Sequence, residues 1–163
     1  MLTDSKPLPA CLARIHYEFA ADVNSKKAAQ FAHSLNEFTF EDVDLNRVMH
    51  HLAVQRMGRL LETHTNLECL WHCIDYHLAA LAGLDTYYLR NEVHELAYEE
   101  SRLPTISVPA MQAAYSAARS VRDHPWAGAE SAQHMTCALP NCRQVWQAEL
   151  DTLLELLRNH KSL

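Results

Sequence analysis

The stretch Asn66–Gly83, NLECLWHCIDYHLAALAG, constrains the chain more than any other. At helical pitch Leu67, Leu70, Trp71, Ile74, Leu78 and Leu81 form one stripe, while Cys69, Cys73, Tyr76 and Ala80 occupy much of the opposite side. Only Glu68, His72, Asp75 and Ala79 are left for water. A helix apolar around most of its circumference belongs in the middle of a bundle, which predicts that this helix is the most buried and that the others pack around it.

The remaining segments agree with an all-α domain. Three glycines in 163 residues and 48% hydrophobic side chains argue against disorder and against a turn-rich β fold. Residues 1–9, with two prolines, read as a flexible lead-in, and 10–163 as a single helical domain. Helices are expected from Ala10 to about Val23 and from Lys26 to about Phe38. A longer one follows from Phe40 to about Thr63, opened by a capping-box variant of Thr39 and Asp42. In it Leu45, Val48, Met49, Leu52, Ala53 and Leu60 recur at helical spacing, and Arg56 interrupts the line. Thr65 or Asn66 is placed to cap the central helix and Gly83 to end it; Asp85 then opens a helix over Thr86–Ser101. Ser107 and Pro109 start an alanine-rich helix reaching about Arg122, and a last helix covers Pro140 to about Asn159. Six or seven helices with short connections make a single-domain bundle.

Potential metal ligands gather in two places. The irregular segment from Asp123 to Leu139 carries His124, His134 and Cys137 and runs into Cys142, while Cys69 and Cys73 share one face of the central helix at i and i+4. Zinc requires about four donors converging tetrahedrally, so Cys69, Cys73, Cys137 and Cys142 compose a candidate structural site, with His72, His77, His124 and His134 as alternates. The spacing matches no standard finger or ribbon, and buried cysteines without metal are the competing explanation. His33 with Glu37, and His64 with Glu68, place imidazole and carboxylate on one helix face, as bundle-core di-iron sites do. His94, Glu95 and Glu99 are the available partners, but paired Glu-x-x-His motifs are absent.

Glycine-rich phosphate loops, G-x-S-x-G and H-E-x-x-H are all missing, so nucleotide hydrolysis, esterase and zincin chemistry lack their motifs. A formal net charge of -6 disfavours nonspecific nucleic-acid binding. Glu92, Glu95 and Glu99 form an acidic strip that reads as a solvated face, with a docking surface as the alternative. Arg47, Arg56 and Arg59 form the one basic region, open to phosphate contact or to pairing with that strip, and the net charge favours pairing. No stretch is long and apolar enough for a membrane span, the N-terminus has no secretory pattern, and five cysteines without a framework fit reduced thiols in the cytoplasm. Good helical patterning without a catalytic signature indicates a non-enzymatic adaptor or accessory protein acting through protein–protein contacts or self-association. A mobile-element replication factor such as a helicase loader is a further alternative within that class, although no motif assigns the chain to it. The contrasting class is a metal-dependent enzyme with His/Glu ligands in the bundle core. Leu153, Leu154, Leu156 and Leu157 span more than one core stripe requires, which sets a contact surface at Leu154 and Leu156 against a broad core face.

Overall fold

The computed structural model describes residues 30, 33–35, 42–122 and 142–163, with side chains of the last segment described from Ala148 onward. Among these residues there are helices and no strands. We label the helices α1 (Leu45–Thr63), α2 (Glu68–Leu81), α3 (Tyr87–Glu100), α4 (Val108–Arg122) and α5 (Cys142–Arg158), followed by a short 3-10 turn at His160–Ser162. Consecutive helices from α1 to α4 pack against one another, α4 closes onto α2, and α5 lies on α1. The expected helix over Ala10–Val23, and most of that over Lys26–Phe38, fall outside the described residues; Gln30 and His33–Leu35 are helical and Leu35 is fully buried. None of the described helices is long and apolar enough to cross a membrane.

Helix ends show how the sequence sets the boundaries. Asp44, rather than Thr39 or Asp42, caps α1: its carboxylate accepts from the Arg47 backbone N–H at 3.1 Å, so the helix begins at Leu45 and not at Phe40. At the end of α2, Gly83 takes φ 73, and the N–H groups of Leu84 and Gly83 donate to the carbonyls of Ala79 and Ala80 at 2.9 and 3.1 Å. This is the paired closure that a left-handed glycine permits. Ser107 accepts from the Ala110 N–H at 3.3 Å and opens α4.

The orientation of α2 departs from the expectation. Its buried residues are Cys69, Leu70, Cys73 and His77, whereas Trp71 is 52% and Leu78 49% exposed. The inward face therefore lies roughly a quarter-turn from the apolar stripe read at helical pitch. The reason lies in the neighbour. Ala113, Ala114 and Ala117 of α4 are fully buried, and a backbone that approaches so closely accepts cysteine-sized side chains and excludes an indole. Nine residues of α1 are buried against four of α2, so α1 supplies the larger share of the core and α2 is not the most buried helix.

Arg56 does not interrupt the apolar line of α1; it is 2% exposed and ion-paired. Its Nε and Nη2 both donate to Glu149 Oε1 of α5, at 2.8 and 2.6 Å, and Arg59 donates to the other carboxylate oxygen. Arg59 also donates to Thr152 Oγ1 at 3.1 Å. Arg47 donates to the Leu81 carbonyl at 3.2 Å. The arginines thus find partners within the protein, yet not the acidic strip of α3, which is exposed. On α5 Leu150, Leu153 and Leu157 are buried, and so are Leu154 and Leu156, which makes this a broad core face and leaves no leucine contact surface there.

Candidate functional site

Two features stand out where α2 meets its neighbours: a buried polar chain on its inner face and an open apolar stripe on its outer one. On the inner face His77 Nδ1 lies 2.9 Å from His50 Nδ1 of α1, and His77 Nε2 lies 3.1 Å from Ser120 Oγ of α4. Ser120 Oγ is also 3.0 Å from the Ala117 carbonyl and 3.2 Å from Cys73 Sγ. More than one proton arrangement satisfies these groups. In one of them the Ser120 hydroxyl donates to the carbonyl, which leaves its oxygen to accept from the Cys73 thiol and from His77 Nε2–H. His77 Nδ1 is then an acceptor and must receive from His50 Nδ1–H.

Electrostatics keeps this chain neutral. Burial, with help from His50 and Arg56, pulls the His77 imidazole down to about 3, and burial and His51 lower His50 while Asp44 opposes them. A second proton between the two Nδ1 atoms would set two N–H groups head to head. Burial pushes the Cys73 thiol up to about 12, against the opposing pull of Ser120 and Arg56. Neither Cys73 nor His77 has exposed surface, so the thiol is no nucleophile toward an external substrate and the imidazole no base for one. What the chain does is fasten α1, α2 and α4 together with satisfied hydrogen bonds.

Cys69 is held differently. Its backbone N–H and that of Glu68 donate to the two carboxylate oxygens of Glu100, at 2.7 and 2.9 Å. The cap for α2 thus comes from the end of α3, not from Thr65 or Asn66, and Leu67 at the N-cap position contributes no side-chain bond. Burial first, and the Glu100 carboxylate second, drive the Cys69 thiol far above its ordinary value.

Of the candidate zinc ligands, Cys69 and Cys73 are buried free thiols on the inner side of α2. His77 joins Cys73 through Ser120, while His72 faces outward with Nδ1 3.4 Å from Glu92 Oε2. Cys142 begins α5, and Cys137, His124 and His134 lie outside the described residues. No group of three or more ligands with metal-holding geometry occurs among the described residues. His64 and Glu68 flank the turn between α1 and α2 and do not share a helix face; His94, Glu95 and Glu99 are exposed, as is His33. Sequence reasoning missed His50, Ser120 and Glu149. Their signal was polar side chains at core spacing: Ser120 follows Ala113 and Ala117 at helical intervals, and Glu149 precedes Leu153 by four.

The outer face of α2 presents Trp71, half-buried Ile74 and Leu78 at i, i+3 and i+7. Beyond its C-terminus Leu84, Tyr87 and Tyr88 are exposed at 64%, 64% and 81%, the two tyrosine rings edge to face at 5.5 Å. Compared with known proteins, the chain matches no family model, no curated protein and no solved structure.

Proposed function

We propose that this chain is a non-enzymatic helical adaptor or accessory protein that works through protein–protein contacts made by the outer face of α2. One observation carries the proposal: Trp71 and Leu78, two turns apart on the same helix, stay about half exposed although the inner side of that helix is packed against α1, α3 and α4. Large apolar side chains aligned at helical spacing in water are characteristic of surfaces that another molecule covers, and tryptophan is the residue most enriched where binding energy concentrates. The buried polar chain supports a scaffold role, since it orients three helices while offering no group to a substrate. The cytoplasm suits the proposal, because free thiols such as Cys69 and Cys73 stay reduced there.

A photo-crosslinking residue at position 78, compared with one at exposed Gln55 of α1, tests this in the native host. A discrete protein adduct from position 78, absent from position 55 and lost in Trp71→Ala, is the expected result. Equal adduct patterns from both positions would reject the assignment. A structural zinc on Cys69, Cys73, Cys137 and Cys142 is a separate element of the proposal, because it would brace α2 from within. Elemental analysis of untagged protein decides it: one zinc per chain supports the site and a zinc-free, fully folded chain rejects it.

A further inference from the structure

We propose that the face shared by α2 and α3 receives an amphipathic helix of a partner protein whose apolar edge is flanked by lysine or arginine; the proposal rests on the adaptor function above and specifies the partner's chemistry. The apolar part of the face is Trp71 and Leu78, with the partly buried Ile74, which packs against the core, between them. It extends about 10 Å along α2 at 1.5 Å per residue, two turns of a facing helix. Its flank is charged on the α3 side. Moving around α2 away from the stripe, Asp75 and Glu68 come first, both exposed, and then His72 beside Glu92. Glu92 continues along α3 into Glu95 and Glu99, also exposed.

No fixed cation of these two helices answers those carboxylates. Helix α2 has no lysine or arginine, and the one arginine of α3, Arg90, donates across to the Arg122 carbonyl of α4 at 3.0 Å. Arg47 sits at the far end of α2, engaged with the Leu81 carbonyl. Arg102, just past the end of α3, lies 4.3 Å over the Tyr98 ring, and the remaining flank is acidic. An apolar stripe with a predominantly acidic flank selects a partner of opposite sign by steering and by the cost of setting like charges together. Nucleic acid and anionic lipid are repelled by it. A second copy paired through the same face would bring no lysine from its own α2 or α3 to these carboxylates.

The test uses the full chain and a labelled synthetic helix of roughly 18 residues, leucine on one edge and lysine on both flanks, alongside a glutamate-flanked counterpart. Fluorescence anisotropy gives the two affinities. The lysine helix should bind at least about tenfold more tightly than the glutamate helix, and that preference should collapse in Asp75→Asn/Glu92→Gln and in about 0.5 M NaCl. Trp71→Ala should weaken the lysine helix by about tenfold or more. These positions are exposed, and unchanged thermal melting would confirm that each variant folds. Equal binding of both helices, still lost in Trp71→Ala, overturns the charge preference and leaves the adaptor function standing. Failure of both helices to bind, with no adduct from position 78, overturns both. A doubled molar mass in solution that Trp71→Ala reverses assigns the face to a second copy and overturns the proposal.

Discussion

Replacing His77 by glutamine should remove a specific part of the protein's sensitivity to acid. The folded protein resists protonating this imidazole, whose value drops from the ordinary 6.5 to about 3, whereas the unfolded chain accepts the proton readily. The unfolded state therefore binds more protons between those values, so stability is complete above about pH 6.5 and falls as the pH drops toward 3. At pH 5 the loss covers about 1.5 pH units, and at about 1.4 kcal/mol per unit this is about 2 kcal/mol. His77 has no exposed surface, so solvent does not discount the figure. The groups facing it are His50 and Arg56 from α1, Cys73 from its own helix and Ser120 from α4. Glutamine keeps an amide N–H for Ser120 and cannot titrate. Urea unfolding of both proteins at pH 8 and pH 5 measures the difference, in which the carboxylates and the histidines that do not touch His77 cancel, leaving His77 and its partner His50. The native chain should lose about 2 kcal/mol more than the variant between the two pH values. Equal losses would refute the reasoning, because they would mean that the folded core takes the proton as easily as water-exposed chain does.

Three further outcomes are expected. Glu149→Leu strands Arg56 in the core without this carboxylate and should cost about 3–5 kcal/mol, while Arg56→Met with Glu149→Leu should recover most of that loss in a double-mutant cycle of unfolding free energies. Leu70→Ala, at a fully buried site, should cost about 2–5 kcal/mol, whereas Leu78→Ala, at a half-exposed one, should cost under about 1; equal midpoint shifts in urea would show that the orientation of α2 is wrong. Gly83→Ala meets no neighbouring atom but forces a side chain into φ 73, so a loss of about 1 kcal/mol is expected from backbone strain alone, measurable by thermal melting.

The helices themselves were legible because their signals are local. Gly83, the Ser107 cap and the alanine face of α4 act within a turn or two, and the periodicity of α1 is strong enough to identify Val48, Met49, Leu52, Ala53 and Leu60 as core. The rotation of α2 was not legible, because apolarity alone ranks Trp71 above Cys73 while the neighbouring alanines decide by size. Arg56 looked like a flaw in its helix for the same reason: its counterion, Glu149, lies 93 residues away and looks like an equal flaw in another. Two misplaced charges on separate apolar lines are jointly informative, since each supplies what the other needs. The candidate site was half visible. Cys73 and His77 were in view as metal ligands, but their roles depend on His50 and Ser120, which tertiary packing brings in from 27 and 43 residues away from His77.

The carboxylate of Glu100 also bears on how the chain assembles. It completes the first turn of α2 from 32 residues beyond Glu68 and 31 beyond Cys69. During synthesis, α2 leaves the ribosome well before the group that finishes it, and Leu67 offers no local substitute. Its opening amides must stay with water until α3 has been made and has folded back, so the two helices mature as one hairpin. The nascent chain has no completed α2 to present before that moment, and a chain cut short of residue 100 would carry a helix whose beginning never closes.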